Sequence, residues 1–171
     1  MRMLTRTVCI ASACWFLLPQ DAAAQASGCA PAPSSSASLT LRCDNGITIV
    51  AESGAKFELK DRNRDGHVDS AELSSKALLV EVPKKPGGNR FEVVTPQAIA
   101  AVRGTRWAVD AAEGKTSVLV VDGRVSVARS AGGRKVVLGP GEGVDVEATG
   151  ALVVKRWAPA RVAALLARLG Q

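Results

Sequence analysis

Residues 116–127 read TSVLVVDGRVSV, two aliphatic runs that flank Asp122 and Gly123. β-Branched residues favour strands, and Asp-Gly between two such runs is a strong signal of a two-residue hairpin, because both central turn positions need positive φ. In the second run Val125 and Val127 alternate with a polar residue, so one face of that strand is expected to be buried. The stretch therefore predicts two antiparallel strands joined at Asp122-Gly123.

The same alternation recurs upstream and downstream of this stretch. Apolar residues two positions apart occur at Leu39/Leu41, Ile47/Ile49, Phe57/Leu59, Val80/Val82, Phe91/Val93, Trp107/Val109, Val118/Val120, Val136/Leu138 and Val144/Val146. Turn-forming residues separate the runs at 44–46, 86–89, 132–133 and 139–141. Many short strands at regular spacing predict an all-β single domain over 39–155, built of short antiparallel strands. A sandwich, a roll and a short β-solenoid all remain compatible with the pattern.

The periodicity changes at the C-terminus, where residues 156–171 are expected to contain a helix. Val162, Leu165, Leu166 and Leu169 share one helical face, and Pro159 stands where a helix can begin. We interpret this segment as a C-terminal helix that caps an open end of the sheet. The alternative is a helix that docks on a membrane surface or a partner.

The first 26 residues have the three-part order of a secretory signal peptide. Arg2 and Arg6 precede the apolar run 7–18, and small residues follow, which places cleavage near Ala24 or Ala26. The run is too short for a stable membrane anchor, and no later segment is long and apolar enough to span a bilayer. We therefore expect a periplasmic or secreted protein, with a flexible Ala/Pro/Ser segment over 27–38. Lipidation at Cys29 is the competing interpretation.

The chain has four cysteines, and Cys9 and Cys14 lie in the expected leader. Cys29 and Cys43 remain, and in an oxidising compartment they are most economically read as one disulfide. Such a bond closes a loop of about 15 residues and would contribute about 3 kcal/mol through the unfolded state.

Residues 61–72, DRNRDGHVDSAE, fit the loop pattern of an EF-hand. Oxygen ligands are expected from the side chains of five residues and the backbone carbonyl of a sixth: Asp61, Asn63, Asp65, Asp69 and Glu72, with the carbonyl from His67. Gly66 would supply the sharp turn, and Val68 would anchor the loop in the core. The pattern predicts a structural calcium site, with affinity in the extracellular range of about 10⁻⁴–10⁻³ M.

Three features oppose this interpretation. Both flanks, 55–60 and 77–82, have strand patterns, whereas a true EF-hand has helices there. No second copy of the loop exists, and Arg62, Arg64 and His67 place positive charge near the ion. The alternative is a hairpin loop that needs no ion, because Asp, Asn and Gly close turns by themselves.

Composition argues against nucleic-acid binding and against an enzyme. The formal net charge is +6, but aromatic residues make up only 4% and there is no Tyr, so we expect no stacking platform for nucleic acid. His67 is the only histidine, and no Gly-x-Ser-x-Gly motif accompanies it. Two carboxylates among Asp110, Glu113 and Asp145 could form a glycosidase pair, but the scarcity of aromatics disfavours a sugar cleft.

The stretch 77–146 resembles the FecR domain family. The resemblance is carried by Ala77–Val82, Phe91–Pro96, Ala100–Val109, Val118–Val127 and Val136–Gly143. Its most specific residues are Thr95, Pro96, Val102, Arg103, Gly104, Thr105 and Gly123. The resemblance implies an all-β periplasmic domain without catalysis, which in the best-known members senses a partner and signals through a membrane helix to a sigma factor.

The motif residues also have structural interpretations. Pro96 should end the strand 91–94, and Gly104 should mark a sharp turn or a close approach of two strands. Arg103 lies between Val102 and Gly104, so we expect it to be partly buried and paired with Glu142 or Glu92, because an unpaired buried charge is costly. The alternative is that Arg103 recognises an anionic ligand.

These observations together predict a non-enzymatic exported module that binds an unidentified protein or envelope polymer and is stabilised by calcium. The second hypothesis is a calcium-responsive sensor or regulatory protein linked to transmembrane signalling. The resemblance supports this function only by analogy of fold, and an analogy of fold does not identify the partner.

Overall fold

The structure is a computed structural model that describes residues 28–34, 36–85 and 90–171. The expected signal peptide, Cys9, Cys14 and the expected turn at 86–89 lie outside these residues. Within them the chain forms thirteen strands and one helix. Their bounds are β1 Cys29–Ala32, β2 Ser38–Cys43, β3 Thr48–Glu52, β4 Lys56–Lys60, β5 Ser70–Glu81, β6 Arg90–Val94, β7 Ala98–Arg103, β8 Arg106–Ala112, β9 Lys115–Asp122, β10 Val125–Arg129, β11 Val136–Leu138, β12 Glu142–Glu147, β13 Lys155–Arg156 and α1 Pro159–Arg168.

The strands form one curled sheet with two arms. The first arm has the order β1-β2-β3-β5-β8-β9-β12-β13, and the second has the order β11-β10-β7-β6-β5-β4. Strand β5 belongs to both: its residues 76–81 pair with β8, and its residues 70–75 pair with β4. Every pairing is antiparallel except that of β5 with β6, which is parallel. The expected all-β domain is confirmed, with this one departure from antiparallel order.

The core lies between the two arms and is built from the alternating apolar residues. Phe91, Trp107, Val118 and Val125 are fully buried in it. All the period-two pairs predicted from the sequence contribute to this cluster except Leu39, which is 43% exposed. Alternation works as a predictor here because each arm buries only its inner face in this core.

Helix α1 covers the outer face of the first arm. Leu165 and Leu169 are buried against Leu79, Ala108 and Leu119 in a second apolar cluster. This explains why the central strands contain continuous apolar runs such as 77–80, because both of their faces are buried. The predicted helix with Pro159 at its start is confirmed. It covers a face of the sheet, however, rather than an open end.

The predicted hairpin at Asp122-Gly123 is wrong. Strand β9 pairs with β8 and β12 in the first arm, whereas β10 pairs with β7 and β11 in the second. The turn carries the chain from one arm to the other. Gly123 does adopt a positive φ of +91°, and a Cβ there would lie 2.9 Å from the carbonyl oxygen of Gly104. The positive φ of Gly123 therefore belongs to a turn that packs against the turn at Gly104, and not to a β-hairpin.

The predicted disulfide between Cys29 and Cys43 is confirmed. The two residues are directly opposite each other in the antiparallel pair of β1 and β2. Residues 29–32, expected to be flexible, therefore form a strand. Pro31 is compatible with β1 because, among the described residues, this strand pairs with β2 alone and so lies at the edge of its arm.

Candidate functional site

The EF-hand-like segment connects two paired strands. Residues 61–69 form the loop between β4 and β5, and Ser70, Ala71 and Glu72 already belong to β5. The predicted strand flanks are thus confirmed, and the loop closes a β-hairpin. Glu72 lies opposite Glu58 in the register of that hairpin.

The first half of the loop is closed by its own side-chain oxygens. Asp61 accepts hydrogen bonds from the amides of Asp65 (3.2 Å) and Gly66 (2.9 Å). Asn63 Oδ1 accepts from the Asp65 amide at 3.0 Å, and Asp65 Oδ1 accepts from the His67 amide at 2.9 Å. The hydrogen bond from the His67 amide is the main cause that lowers the pKa of Asp65. Three of the expected ligands therefore lie within one compact turn.

Of the remaining two carboxylates, Asp69 is hydrogen-bonded to the backbone of this turn, whereas Glu72 lies beside Arg62. Asp69 accepts from the amides of Arg62 (3.0 Å) and Asn63 (3.2 Å). The Arg62 guanidinium lies 3.6 Å from the Glu72 carboxylate and 3.0 Å from that of Glu92. Arg62 therefore occupies the side on which Glu72 would have to approach an ion.

Val68 and His67 attach the loop to the rest of the molecule. Val68 is 1% exposed, so its expected role as the apolar anchor is confirmed. Its carbonyl accepts a hydrogen bond from the Asn45 side-chain amide at 2.9 Å. The His67 ring lies 3.0 Å from the Asp44 carboxylate, and the hydrogen bond to Asp44 raises the pKa of His67. The His67 ring thus points to Asp44, which agrees with the expectation that only its backbone would face an ion.

The donor types fit a hard divalent ion, because carboxylate and amide oxygens are the ligands that calcium prefers. Within the described residues, no three His, Cys, Asp or Glu side chains converge closely enough to hold a metal ion. Chelation by Glu72 would require its carboxylate to leave Arg62 and turn towards Asp61.

The Thr-Pro part of the family motif forms the turn between β6 and β7. The Thr95 hydroxyl is buried, accepts from the Ala98 amide at 2.9 Å and lies 2.7 Å from the hydroxyl of Thr116. Thr116 belongs to β9, so this contact links the two arms. Strand β6 ends at Val94, two residues before Pro96, at the predicted position. Thr95 thus contributes both to this turn and to the contact between the arms.

The second part of the motif forms the corner between β7 and β8. Val102 and Thr105 are buried, and the Thr105 hydroxyl lies 3.1 Å from the carbonyl oxygens of both Arg103 and Arg124. Gly104 has a φ of +58°, and a Cβ there would lie 2.7 Å from Lys84 Cγ. The predicted close approach at Gly104 is confirmed.

The prediction that Arg103 is partly buried and ion-paired is wrong. Arg103 is exposed at the end of β7. Its expected partners are occupied elsewhere, since Glu92 pairs with Arg62 at 3.0 Å and Glu142 accepts from the Gly139 amide at 2.7 Å. The alternation places Val102 in the core, so the next residue must point outward.

Two further arginines lie beside Arg103 and were not identified from the sequence. Arg90 is directly opposite Arg103 in the pairing of β6 with β7, and Arg124 immediately precedes β10 on the other side of β7. The three residues are separated by more than ten positions in the chain. Only the strand order, which the sequence does not give, brings them together.

The carboxylates considered for a glycosidase pair are separate and engaged. Asp110 pairs with Arg168 at 2.7 Å, and Asp145 pairs with Arg161 at 2.5 Å. Glu113 is exposed in the turn between β8 and β9. Two of the three thus serve to hold helix α1 on the sheet.

Among the described residues, α1 is too short and too polar to cross a membrane, and there is no other helix to consider.

Known proteins show similarity at the level of family and fold. The profile of the family described as FecR protein matches residues 32–126. Two crystal structures from Parabacteroides distasonis ATCC 8503, each described as a "putative anti-sigma factor", resemble this one at 20% identity. The first has a TM-score of 0.61 and is matched over 80% of this chain and 64% of its own. The second has a TM-score of 0.49, over 82% of this chain and 61% of its own. No curated protein matches the sequence.

Proposed function

Because the chain belongs to the FecR family, whose profile matches residues 32–126, we propose that it is an exported, non-enzymatic regulatory module that acts by binding a protein or an envelope polymer. The family match is the observation that carries this proposal, since it spans β2 to β9 and much of both arms. A regulatory role is supported by analogy with the structure described as an anti-sigma factor, of which this chain spans less than two thirds.

Export is supported by the disulfide. Cys29 and Cys43 are bonded across β1 and β2. Structural disulfides persist in oxidising compartments and are rare in the cytosol. The order of basic, apolar and small residues over 1–26 supplies an independent argument for secretion.

Export is tested by expressing the full chain with a C-terminal epitope tag in a Gram-negative host. We expect a periplasmic product that has lost about 26 residues at a small-residue cleavage site. Its two remaining cysteines should resist alkylation until a reductant is added. An unprocessed cytoplasmic product with free thiols would contradict export.

Regulatory binding is tested by chemical cross-linking of the tagged chain in envelopes of the source organism. A defined adduct is expected with the native chain and not with a Trp107→Asp variant, which places a charge in the core and serves as an unfolded control. Identical adducts from both chains would argue against a specific partner.

We further propose that Asp61, Asn63, Asp65, the His67 carbonyl, Asp69 and Glu72 bind calcium and so order the β4–β5 loop. The compact arrangement of Asp61, Asn63 and Asp65 supports this site, and the position of Arg62 accounts for the weak affinity expected. If the dissociation constant is about 10⁻⁴–10⁻³ M, 10 mM calcium should stabilise the fold by roughly 1.4–2.7 kcal/mol.

A thermal melt with calcium, magnesium or a chelator measures this effect. Calcium should raise the melting temperature of the native chain more than magnesium does. The shift should be absent in Asp61→Ala and in Glu72→Ala and should persist in Glu113→Ala, an exposed carboxylate outside the loop. An equal shift in melting temperature in all four proteins, or a shift in none of them, would contradict calcium binding by this loop. A calcium-responsive sensor additionally requires the cross-linked adduct to depend on calcium.

A further inference from the structure

Three exposed arginines lie side by side on the outer face of the second arm, and we call Arg90, Arg103 and Arg124 the arginine row. Arg90 and Arg103 are directly opposite in the β6–β7 pair. The β7–β10 register pairs Val102 with Val125, so Arg103 and Arg124 are the next positions along it. Arg90 and Arg103 are adjacent in their strands to the buried Phe91 and Val102, and Arg124 directly precedes the buried Val125; all three arginines are exposed.

The arginine row has no acidic partner within the described part of the chain. The two carboxylates nearest in sequence are occupied: Glu92 pairs with Arg62 at 3.0 Å, and Asp122 pairs with Lys84 at 2.6 Å. Residues 86–89, which precede Arg90, are Pro, Gly, Gly and Asn and contain no acid. Arg161 and Arg168 are exposed arginines that do pair with carboxylates. The positive charge of the arginine row has no such partner among the described residues.

This arrangement is unfavourable for the isolated protein. Like charges directly opposite each other across a strand pair destabilise a sheet. Neighbouring strands are about 4.8 Å apart, so three guanidinium groups share a span of roughly 10 Å. Folding therefore gives no reason for three cations here, whereas an anionic partner would remove the repulsion.

The surface beside the arginine row is partly apolar. The next row across β6, β7, β10 and β11 contains Glu92, Ala101, Ser126 and Val137, where Ala101 pairs with both Glu92 and Ser126, and Ser126 pairs with Val137. Glu92 at one end of this row is already paired with Arg62. Val137 is 61% exposed and is the most exposed large apolar side chain of the described residues. Because Ala101 and Ser126 have small side chains, the backbone of a partner could approach the sheet beside the arginines.

We propose that this face docks an extended segment of a partner protein, one that carries carboxylates for the arginine row and an aliphatic side chain for Val137. This inference rests on the proposed function and names the surface and the chemistry of its partner. Guanidinium groups suit carboxylates because their planar fork donates two parallel hydrogen bonds. A single-stranded nucleic acid would stack its bases on exposed aromatic side chains, and both tryptophans of the described residues, Trp107 and Trp157, are buried.

The test uses chain purified from the periplasm of the expression host and a fluorescent peptide of alternating Glu and Val. Binding is measured by anisotropy at low and at physiological salt, against the same peptide with Gln in place of Glu. A variant with Arg90→Ala, Arg103→Ala and Arg124→Ala is compared with Arg42→Ala, Lys56→Ala and Lys155→Ala. The second variant loses the same charge at exposed positions on other strands.

The row variant should bind the Glu-Val peptide roughly tenfold more weakly, since three exposed charge contacts contribute a few tenths to one kcal/mol each. The control variant should change affinity by less than about twofold, and salt should weaken the wild-type complex. Val137→Ser should also weaken binding. Melting of the row variant at or above the wild-type temperature would show that the loss does not come from unfolding.

Equal weakening by both triple variants would overturn the proposal, because bulk charge would then explain the affinity. Tighter binding of polyphosphate than of the peptide, unaffected by Val137→Ser, would also overturn it and identify a polyanion surface instead. Recovery of the chain from the periplasm establishes export before binding is measured, so a failure of binding is distinguishable from a cytoplasmic, unprocessed chain, which would contradict the proposed function itself.

Discussion

Among the glycines of the described residues, Gly143 has the least room for a side chain, because Trp157 packs against it. Gly143 lies on β12 with no side chain, and the indole of Trp157 packs directly on its backbone. A Cβ at this position would lie 2.3 Å from Trp157 Cε2 and 2.7 Å from the carbonyl oxygen of Val118. Trp157 in turn forms part of the apolar cluster beneath α1. The absence of a side chain at one residue thus allows the C-terminal segment to lie against the sheet.

We expect Gly143→Ala to destabilise the protein by about 2 kcal/mol or more, because a methyl group forced into a packed site displaces its neighbours. The φ of Gly143 lies outside the left-handed region, so the effect is steric and not conformational. Urea unfolding of the purified chain measures it. Gly139→Ala is the matched control, since its Cβ would meet only Glu142 Oε2, at 3.4 Å. Equal stability of the two variants would show that Trp157 can move aside at little cost.

Helix α1 is held to the sheet by two arginines as well as by its apolar face. Arg168 pairs with Glu52 at 2.6 Å and with Asp110 at 2.7 Å. Arg161 pairs with Asp145 of β12 at 2.5 Å, and its guanidinium carbon lies 3.5 Å from the centre of the Trp157 ring. These contacts favour the docked helix over the membrane-bound helix that the sequence also allowed.

The Arg161–Asp145 pair predicts a dependence of stability on pH. Partial burial alone would raise the pKa of Asp145, but the hydrogen bonds from Arg161 and Ser117 outweigh it, and the pKa is lowered from its usual value of 3.8. A lowered pKa stabilises the folded state above the unfolded pKa, and this contribution is lost as pH falls through the folded pKa. Arg161→Ala should therefore cost about 1 kcal/mol at pH 7, from the ion pair and the ring contact together.

As pH falls through the lowered folded pKa of Asp145, the difference between wild type and Arg161→Ala should shrink to the part due to the ring contact, because Asp145 becomes protonated in both proteins. Urea unfolding at a series of pH values, from pH 7 down to the acid limit of the folded state, measures this trend. Arg124→Ala removes an arginine that has no ion pair in the described residues. Its effect on the free energy of unfolding should therefore not diminish at low pH. A difference for Arg161→Ala that stays constant over the whole acid range in which the protein is folded would contradict the assigned role of Asp145.

At the scale of the whole molecule, the sequence predicted which residues are buried better than it predicted how strands pair. The alternation of Phe91 with Val93 and of Val118 with Val120 identified core positions, because burial of one face depends only on the strand's own periodicity. The pairing of a strand depends on residues far along the chain. For this reason Asp122-Gly123 was predicted to close a hairpin, although it carries the chain between the two arms.

The same distinction explains what could be predicted of the candidate site. The loop 61–72 is continuous in sequence, so its composition and its Val68 anchor were apparent from local pattern. The arginine row is assembled by register from three strands, and only Arg103 was singled out, through its family motif. Contacts that depend on strand order require the structure.

The joining of the two arms through β5 leads to a prediction about Lys76. At this residue β5 passes from its pairing with β4 to its pairing with β8, next to a shift in register opposite Lys56. Lys76 has a φ of +65°, a left-handed conformation that costs a residue with a Cβ roughly 1 kcal/mol. Its ammonium group donates to the Ser53 carbonyl, which fixes the side chain on the adjacent turn.

Lys76→Gly should change the free energy of unfolding by less than about 1 kcal/mol, because relief of the φ cost offsets the greater freedom of the unfolded chain. Lys76→Val should destabilise by about 2 kcal/mol, since a β-branched residue is strongly disfavoured at positive φ. Lys56→Val, at an exposed strand position opposite the bend, should have an effect within about 0.5 kcal/mol. Urea unfolding of the three variants measures this order. If Lys76→Val were as stable as Lys56→Val, the bend in β5 could not depend on the conformation of Lys76, and the connection between the two arms would have to be maintained by the core alone.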